Sequence, residues 1–193
     1  MYVQVKTKSQ IIVWKGNYLN TTEFVKIETG ECIAVNGHIT GEVEGTLLHV
    51  SYQLTVDLLW NINAVYINCQ SNTAFNIYLK KKQNQWFNEK GELLSPFSGC
   101  TDIDISITPF TNTLPINRLH LPIGSSKEDT TLYINLPASE CMPVKQRYTN
   151  LDNKIYKYEN LASGFISNIE VDEDGYVVNY PGIWYRILPK NNT

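Results

Sequence analysis

The chain has 193 residues, of which 42% are hydrophobic and 18% charged, and a formal net charge of −3. With 12 Tyr and 4 Trp it is too apolar and aromatic to be disordered. Its acidic balance excludes a phosphate-tracking nucleic-acid binder, whose affinity comes from clustered Lys and Arg. The length fits one domain, read as residues 1–193.

At the N-terminus, Lys6 and Lys8 precede only Ile11–Trp14, too short an apolar run for a signal peptide. No apolar run reaches the roughly 18 residues that a membrane helix needs. Both features lead to the expectation of a cytoplasmic protein without a transmembrane segment. Strands are expected at Gln10–Trp14, Phe24–Glu28 and Cys32–Thr40. In the next stretch Val50, Tyr52, Leu54 and Val56 alternate with polar residues, the period of a half-buried strand. Ala64–Cys69 and Thr73–Leu79 read the same way. Asn88-Glu89-Lys90-Gly91 reads as a turn between Gln85–Phe87 and Glu92–Leu94. Ile103, Ile105 and Ile107 form one face of a further strand, and Leu132, Ile134 and Leu136 one face of the next. Asp172-Glu173-Asp174-Gly175 separates Phe165–Val171 from Tyr176–Tyr180, a hairpin signal because Gly takes the positive φ of the turn. A single helical turn is expected at Ser125–Asp129, capped by Ser126. Crossover helices are missing from the pattern, so the strands must pair mainly antiparallel. The fold class is all-β.

Catalytic motifs are scarce. The histidines His38, His49 and His120 sit in no metal-binding spacing, and there is no GxSxG, GxGxxG or P-loop. Cys32, Cys69, Cys100 and Cys141 form no CxxC pair and read as small buried thiols. No metal site, cofactor or catalytic residue is assigned. The sharpest local feature is Asp102-Ile103-Asp104, whose carboxylates project from one strand face with Cα atoms roughly 6.5–7 Å apart. Such a pair can be a solvated face, a ligand contact, or an acid/base pair of the glycosidase kind. The chain has three arginines, Arg118, Arg147 and Arg186, against thirteen lysines. Arg serves where a planar bidentate contact to a carboxylate is needed, so Arg118 is expected to pair with Asp102 or Asp104. Between them, Thr108–Ile116 contains two prolines and a Thr-Asn-Thr run, and reads as a defined loop presenting Asn112. Six of the twelve tyrosines follow residue 147, including Tyr148, Tyr156, Tyr158 and Tyr180. Lining a sheet, they would offer apolar area with polar tips, suited to an amphiphile or a sugar.

These segments together resemble a family of small bacterial proteins named for putative glycolipid binding. The resemblance is carried by Gly99–Asp104, by Thr108–Ile116 with Arg118-Leu119, by Gln146-Arg147-Tyr148 and by Tyr156–Glu159. Val171–Val178, Tyr180–Arg186 and a weaker Asp57/Trp60 feature complete it. Asn117 departs from the family pattern, standing where a second basic residue is common. The resemblance implies a strongly curved antiparallel sheet, a spiral β-roll or half-barrel similar to periplasmic lipoprotein carriers, with little helix. It also implies a non-enzymatic binder of a glycolipid or other amphiphile. The expected ligand contacts are Asp102, Asp104, Asn112, Arg118, Arg147, Tyr148, Tyr156, Tyr158, Tyr180 and Arg186. The alternatives are a carbohydrate- or lipid-acting hydrolase using Asp102 and Asp104, and a scaffold that forms a homodimer through an open sheet edge.

Overall fold

A computed structural model describes residues 8–43, 45–71 and 74–189. Lys6 and Thr73, named above, lie outside the described residues. The first half carries β1 (Lys8–Gly16), β2 (Thr21–Thr29), β3 (Ile33–Val43), β4 (Thr46–Val56), β5 (Ile62–Gln70), β6 (Phe75–Lys82) and β7 (Gln85–Phe87). The second half carries β8 (Asp102–Ile105), β9 (Ser126–Asn135), β10 (Glu140–Asp152), β11 (Ile155–Asn160), β12 (Ile166–Val171), β13 (Val177–Tyr180) and β14 (Trp184–Leu188). All belong to one sheet in the order β7-β6-β5-β4-β3-β2-β1-β14-β13-β12-β11-β10-β9-β8. Two antiparallel meanders therefore meet where β1 pairs with β14. The sheet is mixed rather than purely antiparallel, because β8 runs parallel to β9 at its far edge.

The sheet curls without closing. Its two edge strands, β7 and β8, do not pair, yet the chain between them is short. The Gly99 amide donates to the Asn84 carbonyl at 2.9 Å. The Trp86 indole donates to the Cys100 carbonyl at 3.0 Å. Across the meander junction, the Trp14 indole donates to the Val177 carbonyl at 2.8 Å. The curl turns alternate side chains inward, so the period of two becomes the core. Ile12 and Trp14 on β1, Val25 and Ile27 on β2, Val50, Tyr52, Leu54 and Val56 on β4 and Ile103 and Ile105 on β8 are all buried. A second cluster, built on Tyr148, Tyr156, Tyr158, Tyr180 and Trp184, lies in the later strands.

Two helix expectations are corrected. Ser125–Asp129 is not a helical turn: Ser126–Asp129 opens β9, where Glu128 stands opposite Arg147 and Asp129 opposite Gln146. The segment read as a loop is instead helical, a 3-10 turn over Phe110–Asn112 running into α1 (Thr113–Leu119). Pro115 falls in the first turn of α1, where its missing N–H has no intrahelical acceptor to serve. Phe110 and Leu114 are wholly buried and plug the interior of the curl. The four cysteines are unbridged; Cys69 and Cys100 are buried, and Cys32 and Cys141 half-buried.

One glycine is required by a close approach. Tyr52 on β4 lays its ring over Gly37 on β3, where an added Cβ would stand 2.1 Å from ring atoms. The ring thereby reaches across β3, and its hydroxyl donates to Glu23 Oε1 on β2 at 2.6 Å. Gly37→Ala should cost about 1–3 kcal/mol through overpacking. Chemical denaturation would measure it, and Gly37→Ala should cost less in a Tyr52→Ala background than in the wild type if the ring clash is its cause.

Candidate functional site

Asp102 and Asp104 leave β8 on the same face, as expected, but that face is not solvated. The helical segment 110–119 covers it, and the two carboxylates meet different partners. Asp102 is wholly buried. Arg118, in the last turn of α1, donates Nη2 to Asp102 Oδ2 at 2.7 Å and Nε to the same carboxylate at 3.2 Å. The same Nη2 reaches Asp129 Oδ2 on β9 at 2.7 Å. Burial pushes the Asp102 carboxyl above the usual range, and the guanidinium pulls it back only in part.

Asp104 has neutral partners. Gln146 on β10 donates to its Oδ2 at 2.6 Å, Thr111 to its Oδ1 at 3.3 Å and the Tyr158 hydroxyl to Oδ2 at 3.5 Å. Burial again raises the carboxyl, and these three hydrogen bonds oppose the shift. Asp104 is half-buried, and it borders a cavity of about 630 Å³.

That cavity lies between strands from opposite halves of the sheet. Asp104 to Thr108 form one wall, with Tyr133, Asn135 and the Leu136–Ala138 turn beside them. Tyr158, Phe165, Tyr180 and Trp184 form an aromatic wall. Neighbouring rings in it have centroids 6.1 Å apart for Tyr158–Phe165, 6.3 Å for Phe165–Tyr180 and 5.5 Å for Tyr180–Trp184. Tyr18, Leu19, Val43, Thr46 and Ser71 come from the first half of the chain. Among the described residues that line the cavity, Asp104 is the single ionisable side chain other than tyrosine.

Of the ten residues expected from sequence, the structure brings Asp104, Asn112, Tyr158 and Tyr180 to this cavity. Tyr148 supports it from behind, donating to Asn112 Oδ1 at 2.8 Å and packing tilted against Tyr158 with ring centroids 5.3 Å apart. Tyr156 is buried in the same aromatic cluster. Asp102, Arg118, Arg147 and Arg186 stand away from the cavity wall. Arg147 is held by Glu128, with Nε donating at 3.0 Å, and lies 3.6 Å from Glu159. Arg186 pairs with Asp172 at 2.5 Å. Asn117, the departure from the family pattern, packs its side chain over Gly175 and donates to the Asp174 carbonyl at 2.9 Å. The position thus closes the Asp172–Gly175 turn onto α1.

Sequence reasoning passed over Gln146 as a site residue, together with Tyr133, Phe165 and Trp184. Tyr133 and Phe165 fall in segments whose period was visible, whereas Gln146 on β10 and Trp184 on β14 lie in strands the pattern did not show, and the surface all four face exists only after the curl. Glu23 was also missed. It occupies the core face of β2 with Thr21, Val25 and Ile27, and is 2% exposed. Its Oε1 accepts from Tyr52 and from Thr108, each at 2.6 Å, and Thr108 is itself a cavity residue. Glu23 Oε2 has no hydrogen-bond partner among the described residues. Burial pushes this carboxyl up to about 8.

An open, curled β-sheet holding an aromatic and polar cavity defines the class of protein. The chain belongs to the family described as "Putative glycolipid-binding", whose profile matches residues 11–186. It is similar to a DUF1089 family protein from Pseudomonas aeruginosa known from its crystal structure. That protein is 34% identical, with a TM-score of 0.80, over 86% of this chain and 92% of its own. A comparison with curated proteins finds no match. No helix among the described residues is long and apolar enough to cross a membrane.

Proposed function

We propose that the protein binds an amphiphile, of which a glycolipid is one class, without transforming it. The observation that carries this reading is the cavity of about 630 Å³ between the two halves of the sheet, which falls in the usual size range of ligand pockets. The aromatic wall supplies apolar area with hydroxyl tips, and Asp104, Asn112, Asn135 and Asn160 supply polar contacts for a head group. Four of the ten proposed contacts, Asp104, Asn112, Tyr158 and Tyr180, would touch ligand directly. Tyr148 would act by holding Asn112, and Arg118 by holding Asp102.

Binding is favoured over hydrolysis by the fate of the two carboxylates. Glycosidase chemistry uses two facing acids. Here Asp102 is bound by Arg118, and Asp104 alone reaches the cavity. A dimer through a sheet edge is the weaker alternative, because the edge strands β7 and β8 have only three and four residues.

The test is native mass spectrometry of detergent-free protein purified from its own host, followed by lipid extraction. Wild type should carry an amphiphile. Ser163→Trp, which places an indole at the cavity wall, should lower its occupancy at least about fivefold by excluding it from the pocket. Equal occupancy in both would move the binding site elsewhere.

A further inference from the structure

We infer that the amphiphile taken by this cavity carries a protonated amine, with Asp104 as its counter-ion and the aromatic wall around it. The inference rests on the cavity's being the amphiphile site and adds the charge class of the head group.

The first ground is how the chain distributes its cations. Each arginine is committed to a carboxylate away from the cavity: Arg118 to Asp102 and Asp129, Arg147 to Glu128 and Glu159, Arg186 to Asp172. Asp104, two residues from Asp102, receives instead an amide and two hydroxyls. These donors orient the carboxylate but cannot neutralise it. A carboxylate has roughly four lone-pair sites, so acceptor capacity remains on the cavity side. Among the described lining residues there is no Lys, Arg or His.

The second ground is what surrounds Asp104. Tyr158, Phe165, Tyr180 and Trp184 present a continuous aromatic wall to the same cavity. The faces of such rings are negative and attract a desolvated ammonium. A sulfate or phosphate head would meet the Asp104 charge and those ring faces, and would be rejected. A neutral sugar head would be accepted but would leave the carboxylate uncompensated. Burial already holds the Asp104 carboxyl above its ordinary range, and an ammonium placed against it would reverse that shift.

The experiment is titration calorimetry of the full-length protein with octylammonium, octyl glucoside and octyl sulfate, each below its micelle threshold. Octylammonium should bind about tenfold tighter than octyl glucoside, corresponding to about 1.4 kcal/mol, and octyl sulfate should bind weakest. In Asp104→Asn the ratio of octylammonium to octyl glucoside affinity should collapse toward one. On the unmodified protein, the same ratio should fall as pH is lowered through the titration of Asp104. The titratable groups facing Asp104 from neighbouring elements are Tyr133 on β9, Tyr148 on β10, Tyr158 on β11 and Tyr180 on β13. Burial raises all four further above their ordinary range, so they stay neutral. Asp102, on its own strand, is paired with Arg118. A ratio at or below one, or one that is flat with pH, overturns the amine assignment while leaving the amphiphile site standing. Failure of all three ligands to bind overturns both.

Discussion

Replacing Arg118 with alanine should lower stability by about 3–5 kcal/mol, the usual cost of removing one partner from a buried ion pair. For a chain of this size that is a fall in melting temperature of roughly 6–20 °C. The cause is Asp102, which is wholly buried and takes its side-chain hydrogen bonds from this guanidinium. Without Arg118 the buried carboxylate keeps only the more distant charge of Lys81, and its pKa must rise further. The loss should therefore be larger at pH 8 than at pH 5, where Asp102 can escape by taking a proton. Arg118→Lys keeps the charge but loses the fork that spans Asp102 and Asp129, and should show a smaller deficit. The double variant Asp102→Asn with Arg118→Ala should be more stable than Arg118→Ala alone. Equal stability of the two would mean that the pair is not coupled.

Arg118 also explains which parts of the molecule could be read from sequence. The carboxylate–arginine pairing was legible because a Lys-rich chain uses so few arginines. Most alternating strands were legible too, though β10 and β14 were not and Glu92–Leu94 forms only an isolated bridge at Leu93; the turns at Asn88–Gly91 and Asp172–Gly175 were legible because Gly positions are local properties. The helix over Phe110–Leu119 was not. Its Thr-Asn-Thr run and two prolines favour a loop locally, and it forms because Phe110 and Leu114 fill the interior while its polar groups find buried partners. Thr111 bonds the Ile105 amide and Asp104; Asn112 accepts from Tyr148. The missing helix then hid the burial of Asp102 and Asp104, since it carries the Thr111 and Arg118 that bind these carboxylates. The cavity was hidden for a related reason. Tyr18 and Trp184 are remote in sequence and meet only because the open sheet curls. Tyr176 and Tyr180, four residues apart, part company: Tyr176 packs on Trp60 and Phe110, and Tyr180 on Trp184.

Glu23 should make the protein more stable in mild acid than in mild base. Its carboxyl titrates near 4.5 when exposed and at about 8 in the fold. Between those values the unfolded chain binds fewer protons than the folded one, so stability falls as pH rises. The full effect is present below pH 4.5 and is lost by the time pH passes about 8. It amounts to about 4–5 kcal/mol at about 1.4 kcal/mol per tenfold. Asp102 and Asp104, also raised by burial, add to the slope with the same sign. Glu23→Gln is the decisive variant. Its amide accepts from Tyr52 and Thr108 as the protonated acid does, but places an N–H₂ group where Oε2 has no partner. That should cost about 1–3 kcal/mol at pH 5. At pH 9 the variant carries no buried charge and should be the more stable protein. Urea unfolding of both proteins across this range should give curves that cross between pH 6 and about 8, the upper bound set by Glu23 itself. Parallel curves would mean that Glu23 is ionised in the fold and that its charge is compensated. In that case the Tyr52–Glu23–Thr108 bridge would bind β2, β4 and the cavity wall as a charged network rather than a neutral one.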